Sequence, residues 1–218
     1  MNPIVFIHGF LLSGWVFTTM EKYFRGKGRH CLYFNYSSRS NSIVQTTALL
    51  ERWLVDKKIS SPDFVCHSMG GLVCHKFAID YAAKMDGTAA VVCLGTPFGG
   101  SLVARNLSNS ESGRRVLGAL ADSELLHGVD AWTASPRLGV IAGSRHIGIG
   151  RMLGLPGNEP GDGTILVKET EIKDATDHII LPVTHSQMTF SKPVARQAEH
   201  FINLGSFNHD QYPEHPGQ

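Results

Sequence analysis

The chain has 218 residues, 42% of them hydrophobic and 18% charged, with a formal net charge of +1. That length supports one domain, 1–218, with a sizeable core and is short for two. A near-neutral balance supplies no field that would select nucleic acid or an anionic membrane as partner, and no apolar stretch approaches the ~20 residues of a membrane span. The N-terminus, Met1-Asn2-Pro3-Ile4-Val5-Phe6-Ile7, lacks a basic segment, an apolar run of signal-peptide length and a small-residue cleavage site. A cytoplasmic protein is therefore expected. Cys31, Cys66, Cys74 and Cys93 form no CxxC pair and lie in or beside apolar runs. Buried free thiols are expected, with no disulfide.

In chain order, Ile4-Val5-Phe6-Ile7 reads as a strand ending in His8-Gly9-Phe10. A helical pattern follows, with Trp15, Met20, Tyr23 and Phe24 apolar and Gly26 as its stop. Cys31 to Phe34 is a second strand, and Ile43 to Leu54 recurs near helical spacing. Asp63 to Cys66 is a third strand. Leu72 to Ala82 reads as a helix with Leu72, Val73, Phe77 and Tyr81 inward. Ala89 to Leu94 is a fourth strand and Leu138 to Ala142 a fifth. These strands are continuous apolar runs rather than alternating ones, the pattern of a parallel sheet covered by helices on both faces.

Between Ser101 and Ser135 the pattern blurs, into either a small helical cap over a site or a surface connection, the cap slightly preferred. Its length allows two short helices at most, since globular helices average about 11 residues. Gly143 to Gly163 is rich in glycine and proline and reads as a loop. Thr164 to Ile172 and His178 to Val183 read as two strands, arranged as a hairpin. Ser191-Lys192-Pro193 opens a last helix with proline in its first turn. The polar tail, 208–218, is expected to be mobile.

The chemistry concentrates at Cys66-His67-Ser68-Met69-Gly70-Gly71, between a strand and a helix. A nucleophilic serine at such a strand-to-helix turn stands exposed above the sheet, and the strained backbone requires small residues two before and two after it. Gly70 meets the requirement; Cys66 stands where G-x-S-x-G has its first glycine, so the turn must be slightly roomier. The alternative is a serine at a glycine-rich helix start that holds an anion, but the flanking strand and helix favour the nucleophile.

With His8-Gly9-Phe10, Gly95-Thr96-Pro97, Gly161-Asp162-Gly163 and His185, this segment resembles the α/β-hydrolase fold family, and within it the small bacterial lipases and esterases. The motifs occur in the family's order. The first strand resembles the family's third, so the resemblance implies a mostly parallel sheet with a pared-down N-terminus.

The resemblance also implies a role for each residue of the site. The oxyanion formed when an ester carbonyl is attacked would be met by the backbone N–H groups of Phe10 and Met69. His8 itself reads as structural, holding its loop. The family's order of nucleophile, acid and histidine selects His185 from the 11 histidines. His67 is read as pointing away from the nucleophile. Asp162, turned by its flanking glycines, is the expected acid, which would fix the histidine tautomer. Asp174 and Asp177 are rivals in a turn where aspartate is common for local reasons. Phe98 is a candidate wall of the acyl pocket and Leu11 a second substrate contact.

The resulting expectation is a serine hydrolase of small-molecule or lipid esters that works through an acyl-enzyme, with no cofactor, no metal and no stable membrane insertion. The same residues also fit an acyltransferase or a thioester or amide hydrolase, because the triad does not decide what enters the second step. A non-catalytic binding protein on the same fold is the third reading.

Overall fold

The computed structural model describes residues 1–81, 89–147 and 149–212. Six strands form one parallel sheet: β1 (Ile4–Ile7), β2 (Cys31–Phe34), β3 (Asp63–His67), β4 (Ala90–Leu94), β5 (Arg137–Gly143) and β6 (Asp177–Leu181), in the spatial order β2-β1-β3-β4-β5-β6.

The continuous apolar runs are explained by the two cores. Successive strand residues face opposite sides of a sheet, and here both sides are covered. Val5, Ile7, Phe64, Cys66, Val91 and Cys93 pack with helices α2 (Ile43–Asp56) and α3 (Met69–Asp80). Ile4, Phe6, Val65, Val92 and Leu94 pack with α1 (Thr18–Arg25) and α7 (Lys192–Leu204) on the other face. Helix starts follow capping chemistry. Ser42 and Gln45 form a reciprocal capping box on α2, and the Ser191 hydroxyl accepts from Val194 N–H with proline in the first turn of α7. All four cysteines are buried and free.

Several expectations change. Trp15, read with the inward face of the first helix, is 81% exposed, and Phe17 fills the core instead. Gly14–Phe17 is a 3-10 turn, so its phase does not continue that of α1. The helix read to Ala82 is α3, which begins earlier and ends at Asp80; Ala82 lies outside the described residues. The segment 101–135 holds three short helices rather than two at most: α4 (Leu102–Ser108), α5 (Glu111–Leu117) and α6 (Glu124–His127).

The strand and hairpin read at Thr164 to Ile172 are absent. That stretch is a turn followed by a 3-10 turn, Val167–Thr170, and β6 pairs parallel to β5. Carboxylates take the backbone N–H groups a strand would need: Asp162 Oδ1 accepts from Thr164 and Ile165, and Glu169 Oε2 from Leu166. The start of the tail is docked rather than free. Gln197 exchanges two hydrogen bonds with the Asn208 backbone, and His209 Nε2 lies 3.0 Å from Asp177 Oδ1. The rest of the tail, 213–218, lies outside the described residues.

Candidate active site

Ser68 is the single residue between the end of β3 and the start of α3, with φ 54° and ψ −128°. Such a conformation costs a non-glycine residue of order 1–3 kcal/mol and persists only where its surroundings enforce it. They do so here. Ser68 N–H donates to Leu94 O (2.8 Å), and its carbonyl accepts from Thr96 Oγ1 (2.8 Å) and from Gly71 N–H (3.0 Å). The turn is also pressed against β1: a Cβ on Gly70 would stand 2.4 Å from Ile7 O. Cys66, the departure from the usual glycine, is fully buried on the α2/α3 side. The serine is left half-buried at the carboxyl end of the sheet.

His185 lies in the connection from β6 to α7, and Asp162 in the long connection from β5 to β6. Their side chains meet: His185 Nδ1 is 2.7 Å from Asp162 Oδ2. The main chains are joined as well, His185 N–H donating to Asp162 O at 2.9 Å. Asp162 is 1% exposed. Its other oxygen accepts from Thr164 N–H (2.9 Å) and Ile165 N–H (2.7 Å), so the buried charge is surrounded by donors. Because the carboxylate accepts, Nδ1 carries the proton and Nε2 is the free basic nitrogen of the ring. The rivals stand elsewhere. Asp177 accepts from Phe207 N–H (2.6 Å) and pairs with His209, and Asp174 occupies a left-handed turn position at φ 64°.

The loop after β1 is stapled to the end of β2. His8 Nδ1–H donates to Gly9 O (2.9 Å), its Nε2 accepts from Tyr36 N–H (3.3 Å), and the two rings stack with centroids 4.3 Å apart. Tyr36 OH donates to His8 O (2.6 Å), Leu11 N–H to Ser38 Oγ (2.8 Å) and Gly14 N–H to Asn35 Oδ1 (2.7 Å). Burial lowers the His8 pKa, which keeps this structural imidazole neutral. Among the described residues, Phe10 N–H has no hydrogen-bond partner. Met69 N–H, in the first turn of α3, has no intrahelical acceptor. Leu11, beside Phe10, is 61% exposed.

One expectation needs correction. Phe98, expected to wall an acyl pocket, is fully buried in the core, its ring 6.2 Å from His75, and it presents no surface to a substrate. His67 turns its ring to His185: its Nε2 lies 3.0 Å from the His185 carbonyl oxygen and the two ring centroids are 4.6 Å apart. Thr96, named in the sequence only as part of the Gly95-Thr96-Pro97 motif, fixes the Ser68 carbonyl with its hydroxyl. Cavities of about 500 and 420 Å³ lie elsewhere, one between α1 and α7 and the other at the start of α2 beside α6; neither is lined by Ser68, Asp162 or His185. Among the described residues, no group of three or more His, Cys, Asp or Glu side chains is placed to hold a metal ion.

Among solved structures, the chain is similar to a lipase from Bacillus licheniformis, with a TM-score of 0.69 at 19% identity over 93% of this chain and 91% of that one. It is similar too to an esterase from Thermogutta terrifontis, with a TM-score of 0.65 at 11% identity over 93% and 90% of the two chains. The fold is that of the α/β-hydrolases. A metagenomic carboxyl esterase shares it, with a TM-score of 0.63 at 15% identity over 94% and 76%. No protein-family model and no curated protein sequence matches the chain. Ser68 stands at the strand-to-helix turn at the carboxyl end of this sheet. Among the described residues, no helix is long and apolar enough to cross a membrane.

Proposed function

We propose that this chain is a serine hydrolase of carboxylic esters, with Ser68 as nucleophile, His185 as base and Asp162 as its carboxylate partner. The observation that carries the reading is the 2.7 Å bond from His185 Nδ1 to a buried Asp162, which orients the imidazole at the end of the sheet where Ser68 stands in its strained turn. The lipase and esterase names of the structural neighbours support the same substrate class.

In this mechanism His185 Nε2 takes the Ser68 hydroxyl proton as Oγ attacks the ester carbonyl carbon. Asp162 holds the tautomer and stabilises the imidazolium. The oxyanion is received by Phe10 N–H and Met69 N–H. The imidazolium then gives its proton to the departing alkoxide, which leaves as the alcohol and a Ser68 acyl ester. Water, deprotonated by the same nitrogen, attacks that ester, releasing the acid and restoring the hydroxyl. No step requires a cofactor. Leu11, exposed next to Phe10, supplies apolar surface to the acyl or alcohol group. Four buried free thiols are at home in a reducing compartment, which supports the cytoplasm as the location.

The test is labelling with a fluorophosphonate together with turnover of nitrophenyl esters of graded acyl length. Wild-type protein should label and turn over. Ser68→Ala should fold, fail to label and lose a factor of about 10³ or more in kcat. Turnover near wild type in that variant sinks the mechanism.

A further inference from the structure

We infer that His67 is a positioning residue for the base, its Nε2–H holding the His185 backbone against the nucleophile turn. This rests on the serine-hydrolase reading above.

His67 is the last residue of β3, immediately before Ser68, and is 2% exposed. Its neighbour Cys66 faces the α2/α3 core, so strand alternation sends the imidazole to the opposite side. There it meets a residue 118 positions later in the chain. Nε2 lies 3.0 Å from His185 O, and the two rings pack with centroids 4.6 Å apart at 47°. A carbonyl oxygen only accepts, so Nε2 carries the proton and Nδ1 is a bare acceptor. Among the described residues Nδ1 has no partner. It is directed toward the loop after β1, where a Cβ on Gly9 would stand 3.2 Å from it.

An unsatisfied buried acceptor is destabilising. A leucine would fill comparable space without that cost. What the imidazole supplies and an apolar residue does not is the Nε2–H bond. That bond completes the fixation of His185. Its N–H is held by Asp162 O, its Nδ1 by the Asp162 carboxylate and its carbonyl by His67, which among the described residues leaves Nε2 as its one free polar atom. The three bonds tie the connection after β6 to both the acid loop and the residue preceding the nucleophile. Burial, with the neighbouring His185 adding to it, pushes the His67 pKa down to about 3. His67 is thus a neutral donor at working pH and places no cation against the imidazolium that forms on His185.

A displacement of about 1 Å at reacting groups is worth about 10²-fold in rate, which sets the size of the effect. The experiment measures kcat and KM on p-nitrophenyl butyrate, and thermal unfolding, for wild type, His67→Leu, His67→Gln, His67→Asn and Ser68→Ala. The Gln amide nitrogen reaches the position of the imidazole Nε2; the Asn amide is one methylene short of it. His67→Leu and His67→Asn should lower kcat about 10–100-fold with KM within about twofold, and His67→Gln should recover kcat to within about fivefold of wild type. If His67→Leu does not fold, the contrast between Gln and Asn decides. Equal rates for Gln and Asn, or kcat within twofold of wild type for folded His67→Leu, overturns the inference. An active Ser68→Ala overturns the underlying serine-hydrolase reading instead.

Discussion

Gly95 lies directly against His185: a Cβ built on Gly95 would stand 3.0 Å from His185 Nδ1 and 3.0 Å from Asp162 Oδ2. The residue before it, Leu94, accepts the Ser68 N–H, so the end of β4 touches the nucleophile turn and the histidine–aspartate pair together. Gly95 also has φ +57°, a region that costs a residue with a Cβ about 1–2 kcal/mol. Gly95→Ala should therefore fold with modestly reduced stability and lose about 10–100-fold in kcat, because the methyl displaces the pair by a fraction of an ångström. Steady-state kinetics beside circular dichroism checks this, and kcat within twofold of wild type in the folded variant would falsify it.

The carboxylates separate by role. Asp162→Asn should cost up to about 10⁴ in kcat, since an amide favours the wrong imidazole tautomer. Asp177→Asn removes a carboxylate that holds Phe207 N–H and His209, remote from the nucleophile. It should cost about 1–2 kcal/mol of stability and leave kcat within about threefold. Asp174→Asn, at an exposed turn, should do little to either. Unfolding midpoints and kcat for the three variants test the division. A damaging Asp177→Asn with Asp162→Asn active would reassign the acid.

How much of this was legible in the sequence depended on range. The six strands were readable because runs of apolar residues are a local property, and Asp162 and His185, chosen on motif order, lie 2.7 Å apart in the fold. Thr164 to Ile172 was misread because its apolar residues suit a strand, whereas its backbone N–H groups are taken by the Asp162 and Glu169 carboxylates. That competition depends on Asp162 being held in place from the far side by His185. Trp15 was misassigned because a 3-10 turn broke the helical phase. His67 and Thr96 were passed over as functional residues because their partners, His185 O and Ser68 O, are 118 and 28 residues away and neither interaction leaves a pattern in the chain.

Acid should destabilise the fold through its buried histidines. Burial lowers the pKa of His67 to about 3, and those of His8 and His75 move in the same direction. Unfolded histidine titrates near about 6.5. Between the two values the unfolded state binds more protons than the folded one, so stability rises with pH through that window. It is complete above about pH 6.5 and lost as pH falls toward 3, at about 1.4 kcal/mol per pH unit for a single fully linked proton. Buried Asp63 and Glu169, raised by burial, act with the opposite sign, so the wild-type slope is a sum. His67→Gln isolates one contribution: its melting temperature should fall less steeply than wild type from pH 7 to pH 4.5. Parallel curves would show that His67 is not buried neutral. With a pKa near 3, His67 also cannot be the group whose titration governs the rate near neutrality. A kcat/KM that is flat from about pH 5 to 8 on a soluble ester counts against a histidine base altogether.

The last prediction concerns the segment 101–135 and whether it opens like a lid. Its helices are fastened at several points. Ser101 N–H donates to Leu125 O (2.8 Å), Val129 N–H to Phe98 O (2.7 Å) and Leu102 N–H to the buried Glu169 carboxylate (2.6 Å), while the Arg105 guanidinium holds Leu126 O (2.8 Å). Leu117, Leu120, Leu125 and Leu126 belong to the same buried cluster as α2 and α3. Exposing four such side chains costs about 1.5–3 kcal/mol each, a sum comparable to the roughly 5–15 kcal/mol of a whole domain's stability. The segment is therefore part of the body of the fold, and access to the half-buried Ser68 does not wait on its movement. Short and medium acyl esters should be hydrolysed below their solubility limit, with no sharp rise in rate when an emulsion forms. Activity against tributyrin concentration across that limit is the measurement. A steep rise at the limit, with poor turnover of monomeric butyrate esters, would mean that α4 to α6 do open on oil and that their burial is weaker than these contacts imply.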